Sequence, residues 1–169
     1  MTNKQLLEFL LSNNNYLEDF VTRNTYHSNA IEGSTLTYAE TYAVLYNDNS
    51  FRIQNRKPRE IYEIINHKEA LELVFDNIKN ESLFDEKLIK KINEKINKNI
   101  LNTGGYRETQ VYIRGSKHLP PPAEKVPNLI MYFTSNYNND IEDIFQKIAK
   151  YHIQFESIHP FEDGNRKNR

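Results

Sequence analysis

Apolar residues recur at intervals of three and four along most of this chain, and that period commits it to helices rather than sheets. Leu6, Leu7, Leu10 and Leu11 form the first such set, and Leu17, Phe20 and Val21 continue it after Asn13-Asn14-Asn15. Residues Asn24 to Ile31 read as a short helix closed by Gly33, which tolerates the left-handed C-cap conformation. Thr37 and Glu40 make a capping box for the next helix, with Val44 and Leu45 on its apolar side. Phe51 to Pro58 is a polar loop. The spacing predicts a long helix over Arg59 to Ile78, with Ile61, Ile64, Ile65, Leu71, Val74, Phe75 and Ile78 facing a core. Ser82 is a candidate cap for a helix carrying Leu88, Ile89, Ile92 and Ile96. Gly104-Gly105 ends that helix.

The period breaks in one place. Tyr106 to Ile113 alternates, with Val111 and Ile113 in phase, which predicts a short β-hairpin. Pro120-Pro121-Pro122 then excludes helix, because proline locks φ and lacks a donor. Helices are expected again from about Val126 to Tyr137 and from about Ile141 to Ile158. The expected class is mainly α, about seven helices and one hairpin. At 169 residues, without internal repeat or low-complexity linker, the chain reads as one domain over residues 1–169. Within it, about 1–36 form an N-terminal helical segment and about 37–169 the core.

Composition removes several function classes. The chain has no Cys, which excludes disulfides, Fe–S ligation, thiol catalysis and thiolate zinc sites. Its 22 basic and 23 acidic residues leave a net charge of −1, so no global field draws nucleic acid or an anionic membrane. Arg52, Arg56, Lys57 and Arg59 cluster, but a short basic loop of this kind is ordinarily solvated. No apolar run approaches the roughly 20 residues that cross a bilayer, and the start does not read as a signal peptide. Twelve per cent aromatic residues argue against disorder. The expectation is a cytoplasmic protein with no nucleic-acid or membrane partner. The oligomeric state stays open, a homodimer included.

The chemistry concentrates at the end of the last helix, in His159-Pro160-Phe161-Glu162-Asp163-Gly164-Asn165-Arg166-Lys167-Asn168-Arg169. A helix stops at a proline with a histidine at its C-terminal end, and a turn follows. Gly164 and Asn165 tolerate positive φ, which lets successive backbone N–H groups converge in an anion-binding nest. Arg166 and Arg169 add charge with geometry suited to phosphate oxygens. Asp163 is a candidate Mg²⁺ ligand beside substrate phosphates. His159 has the right intrinsic pKa to take a proton from an incoming hydroxyl. Together these groups describe nucleotidyl or phosphoryl transfer. Taken singly, each has a plainer reading: a helix cap, a turn, surface arginines. His152, Glu156 and His159 share one helical face and admit a two-His, one-carboxylate metal site, though a polar stripe is the simpler account.

The motif from His159 to Asn165 resembles the signature of the Fic family, His-x-Phe-x-Asp/Glu-Gly-Asn-Gly-Arg-x-x-Arg. The resemblance extends to Ala149, His152, Phe155, Glu156 and Ile158 before the motif. It also takes in Gly105-Tyr106-Arg107, Val111, Ile113, Gly115 and Pro121-Pro122, and Asn66, Ala70 and Leu71 further upstream. It implies a helical bundle with a hairpin flap, and transfer of AMP from ATP to a Ser, Thr or Tyr hydroxyl of a protein substrate. His159 is then the base and Asp163 the Mg²⁺ ligand. Gly164, Asn165, Arg166 and Arg169 bind ATP, and Phe161 anchors the loop. The flap residues Tyr106, Arg107, Val111, Tyr112 and Ile113 align the target by strand addition. Upstream, Ser28-Asn29-Ala30-Ile31-Glu32-Gly33 matches the family's inhibitory pattern, so Ser28, Glu32 and Gly33 are expected to impose self-inhibition, with Glu32 in the place of the γ-phosphate.

The chain departs from the pattern after Asn165, where the family glycine is missing and the following helix does not appear. With one gap Arg166 and Arg169 fall on the family arginines; without it, neither does. One inserted A, turning AAT GGA AGA ATA GGA into AAT AGG AAG AAT AGG, reproduces Asn-Arg-Lys-Asn-Arg. The expectation is therefore a truncated or frame-shifted tail and weakened activity. A catalytically dead helical interaction module and a Fic-type phosphotransferase are the alternatives.

Overall fold

Capping side chains set the helix boundaries in the computed structural model, which describes residues 2–48, 57–101, 105–113 and 115–165. The helices are α1 (Asn3–Leu11), α2 (Asn14–Ile31), α3 (Tyr38–Tyr46), α4 (Pro58–Lys79), α5 (Glu86–Asn97), α6 (Val126–Asn139) and α7 (Ile144–Ile158), with a 3₁₀ turn at Ala123–Lys125 before α6. Two capping boxes start α1 and α3, the second being the Thr37/Glu40 pair expected from the sequence. Most of the loop expected over 51–58 lies outside the described residues.

Three boundaries differ from the sequence reading. Residues 24–31 are not a separate helix but the second half of α2, which Asn13 caps by accepting from the Tyr16 N–H. Val21, Thr25 and Asn29 keep one buried face at a spacing of four throughout, so the polar residues between them only face solvent. The cap of α5 is Asp85, whose Oδ1 accepts from the Leu88 N–H at 2.8 Å; Ser82 instead closes the end of α4. Asp143 caps α7, so Ile141 lies outside it and is fully exposed.

The expected β-hairpin at Tyr106 to Ile113 does not form: no described residue is in a strand. Groups that a ladder would pair are committed elsewhere. The Arg107 N–H donates to the Pro160 carbonyl, and the Thr109 carbonyl accepts from the Arg107 guanidinium. Gln110 Nε2 donates to the Pro120 carbonyl. Side-chain tethers thus replace cross-strand pairing, and the fold is mainly α without a flap hairpin.

Contacts divide the chain into two compact units. The first comprises Met1–Ser82 and Lys95–Asn102, and the second Leu83–Glu94 and Thr103–Arg169. In the first unit, Val21, Leu36, Leu45 and Ile64 form a core flanked by Phe20, Leu71 and Phe75. Ile65, expected to face it, is instead partly exposed, one position past the stripe. Several polar groups inside this unit find partners: Thr25 Oγ1 meets His67 Nδ1 at 3.0 Å, and Asn66 Nδ2 donates to the Ile96 and Lys98 carbonyls. The second unit is built on Ile89, Val126, Ile130, Phe133, Tyr151, Phe155 and Phe161. No helix among the described residues is long and apolar enough to cross a membrane.

Glu60 ties the segment after α2 to the start of α4. Its Oε1 accepts from the Thr35 N–H at 2.6 Å and from the Thr35 hydroxyl at 2.9 Å, and Oε2 accepts from the Lys57 N–H. The Thr35 N–H is the main reason its carboxyl sits below the usual range. Because the folded-state pKa is depressed, the contribution is present above the unfolded carboxylate pKa and is lost as pH falls through the lower folded value. Glu60→Gln, which turns a donor toward these donors, is expected to cost about 1–3 kcal/mol at neutral pH. In urea unfolding, the gap from wild type should narrow on acidification.

The end of α4 carries a second testable feature. Glu81 sits at φ 51°, with its N–H on the Ile78 carbonyl and the Ser82 N–H on the Asn77 carbonyl, a Schellman cap that favours glycine. Its ion pair with Lys4 is exposed and adds little. Glu81→Gly is expected to raise stability by about 0.5–1 kcal/mol in the same measurement.

Candidate active site

The second unit fixes the loop after α7 through a buried aromatic and three side-chain amide bonds. Phe161 is fully buried and its ring lies 5.5 Å from that of Tyr106. Asn165, itself buried, folds its side chain back over that residue. Its Oδ1 accepts from the Phe161 N–H at 2.8 Å and its Nδ2 donates to the Phe161 carbonyl at 2.7 Å. Asn93 of α5 donates to the Asp163 carbonyl at 2.9 Å. The loop is thereby closed on itself and pinned to α5.

His159 is the C-cap of α7, at φ 49° and ψ 64°, and its N–H donates to the Phe155 carbonyl at 3.0 Å. The left-handed turn lifts the residue out of the helix and redirects the chain into Pro160 and Phe161. Asp163 is half-buried, and its Oδ1 accepts from the Gly164 N–H at 2.7 Å. Gly164 has φ 79°, the conformation that a nest requires. The structure therefore brings His159, Phe161, Asp163, Gly164 and Asn165 into one short loop. Arg166 and Arg169 lie outside the described residues.

The segment before the triple proline supplies the wall beside α7. Tyr106 is half-buried, and burial, followed by the neighbouring Glu86 carboxylate, pushes its phenol well above the ordinary range. Lys90 lies 4.4 Å from the centre of the Tyr106 ring. Arg107 is buried with its guanidinium among backbone carbonyls, away from solvent. Val111 and Ile113 are half-buried, while Tyr112 is 79% exposed. His118 Nε2 lies 2.9 Å from the Ser157 carbonyl, which can only accept, so that nitrogen carries the proton.

In the first unit, Ser28, Glu32 and Gly33 occupy the end of α2. Gly33 has φ 90°, and the Gly33 and Ser34 N–H groups donate to the Ala30 and Asn29 carbonyls, a complete Schellman cap. Glu32 is the C-cap residue and is exposed. Among the described residues no group of three or more acidic or histidine side chains is placed to hold a metal, so His152, Glu156 and His159 do not form one.

Asn93 and His118 escaped the sequence reading. Asn93 had a signal: it follows Ile89 by four and precedes Ile96 by three, a polar residue on a core-facing stripe, which must find a partner. His118 had none, because its partner is a backbone carbonyl 39 residues away.

A helical unit that presents a histidine, a carboxylate and a positive-φ glycine on one pinned loop defines a class, that of the Fic-type fold. The family model for the Fic/DOC family matches residues 83–167, and the chain belongs to that family. It is 31% identical over 150 residues to a protein named "Protein adenylyltransferase Fic" of Nematostella vectensis, covering 85% of this chain and 34% of that one. A crystal structure of a Fic family protein from Desulfovibrio desulfuricans G20 superposes with a TM-score of 0.79 at 29% identity, over 96% of this chain and 49% of that one. Fic-1 from C. elegans gives a TM-score of 0.77 at 26% identity, over 89% and 45%. The chain thus spans about a third of the curated relative and about half of each solved structure.

The pair of hydrogen bonds between Asn165 and the Phe161 backbone sets up a test of loop pinning. Asn165→Ala leaves a buried N–H and a buried carbonyl without their partner and is expected to cost about 2–4 kcal/mol. Asn165→Asp should restore only the acceptor half. Urea unfolding of the two variants beside wild type measures the difference.

Proposed function

We propose that this chain transfers AMP from ATP to a Ser, Thr or Tyr hydroxyl of a protein substrate, and that Glu32 restrains the reaction. The observation that supports the reading best is the pinned loop, which sets His159 at the end of α7 and Asp163-Gly164 a few residues on. The names of the adenylyltransferase relatives point the same way.

The imidazole of His159 takes the proton of the target hydroxyl as that oxygen forms its bond to the α-phosphorus. The bond from the α-phosphorus to the bridging oxygen breaks, and pyrophosphate leaves. Gly164 shapes the cradle for the phosphate oxygens, and Asn165 keeps it in place by bracing Phe161. Arg166 and Arg169 add positive charge to the nucleotide site. Asp163 offers what Mg²⁺ prefers, a hard carboxylate oxygen on a fixed loop. Mg²⁺ held by Asp163 would offset phosphate charge. The target segment lies against the exposed stretch around Tyr112.

Restraint is assigned to Glu32 because Ser28 to Gly33 matches the inhibitory pattern of the family. A carboxylate that occupies the γ-phosphate's place opposes ATP by charge and by volume.

The test is transfer of label to protein, with α-labelled and γ-labelled ATP, Mg²⁺ and a lysate. Label from the α-position, raised about tenfold or more by Glu32→Gly and abolished by adding His159→Ala, is the expected outcome. Label from the γ-position alone identifies a phosphotransferase. No label from either, with folded protein, leaves an interaction module.

A further inference from the structure

Helix α7 ends without a basic residue in its last turn, so partners from elsewhere must satisfy its final carbonyls. His118 Nε2 meets the Ser157 carbonyl, and Arg107 meets the Ile158 carbonyl together with the two that follow the helix. Arg107 Nε donates to the His159 carbonyl at 2.8 Å, and Nη2 donates to the Ile158 carbonyl at 3.4 Å. Nη2 also meets the Pro121 carbonyl, and Nη1 donates to the Thr109 carbonyl at 2.9 Å. The Arg107 backbone N–H reaches the Pro160 carbonyl at 2.9 Å. Three successive carbonyls, 158 to 160, are therefore held by a single residue that is 3% exposed.

The geometry has a direct consequence for His159. The peptide plane before its Cα carries the Ile158 oxygen, and the plane after it carries the His159 oxygen. Rotation about φ moves the first plane relative to the second, and rotation about ψ does the converse. A rigid guanidinium that grips both oxygens fixes both angles, and with them the direction in which the Cβ and imidazole leave the chain. His159 needs such a grip, because its φ of 49° is unfavourable for any residue with a Cβ and persists only where surroundings over-determine it. The α7 carbonyls, the negative end of the helix dipole, in turn compensate the buried cation.

We propose that Arg107 is a positioning residue for the His159 base, acting through the two peptide planes that flank it and not by touching a target or nucleotide. The proposal rests on the AMP-transfer reading for its kinetic part only. A lysine at 107 keeps the charge but concentrates its donors on one atom, so it cannot grip both planes.

The experiment compares the Glu32→Gly protein with the same protein carrying Arg107→Lys. In the folded Arg107→Lys protein, kcat for AMP transfer should fall about tenfold to a hundredfold while KM for ATP stays within about twofold. The His159 Cε1–H resonance should shift or broaden. In the unmutated chain, the Arg107 Nε–H should exchange with solvent about a hundredfold more slowly than that of free arginine. Unchanged kcat with an unchanged His159 resonance overturns the proposal, as does a change confined to KM. If Arg107→Lys does not fold, fast exchange of the Arg107 Nε–H in the unmutated chain overturns it alone. If the parent transfers no AMP, the AMP-transfer reading fails, and the His159 resonance and the Nε–H exchange still decide whether Arg107 fixes His159.

Discussion

The side-chain amide of Asn165 closing on the backbone of Phe161 is the interaction on which the candidate site depends. A phenylalanine ring in a core fixes one point of a loop but leaves the chain on either side free to pivot. The paired hydrogen bonds from Asn165 remove that pivot, because they bind the N–H and the carbonyl of the same residue. Everything between them, Glu162, Asp163 and Gly164, becomes a closed ring of chain. Asn93 then joins the ring to α5 through the Asp163 carbonyl. Apolar burial gives the loop its depth, and amide geometry gives it orientation.

Backbone polar groups follow the same economy elsewhere in the chain. With 5 glycines in 169 residues, several helices end on left-handed residues other than glycine: Asn47, Glu81 and His159. Each such ending is supported by hydrogen bonds to carbonyls of the preceding turn. The end of α2 carries the same kind of bonds, with Gly33 taking the left-handed conformation without a Cβ. Stability in this chain is thus distributed through many short-range caps as well as through two apolar cores.

Periodicity disclosed the helices because burial on one face leaves its mark at every third or fourth residue. Ile64, Ile89, Ile92 and Ile96 fall inside as their spacing requires. The motif from His159 to Asn165 was legible because its residues are neighbours in the chain. What escaped was chemistry between distant positions. Alternation at Val111 and Ile113 suggested a hairpin, but alternation reports only which side faces inward. It does not report whether a partner strand exists, and here tethers from Arg107 and Gln110 take its place. Helix α2 looked divided, with a separate helix expected from Asn24, when Arg23 and Asn24 simply lie on the wet side of one continuous helix. Arg107 carried no sign of its burial, since a cation surrounded by carbonyls needs no acidic residue nearby in sequence.

The left-handed turn at His159 places two selective demands in conflict at one codon. Glycine is the residue that this backbone would prefer, and it has no imidazole. Drift toward greater stability therefore runs toward loss of the imidazole, while its retention preserves a strained turn. A position of this kind records which demand has prevailed: a histidine kept there needs a use for its imidazole to offset its conformational cost.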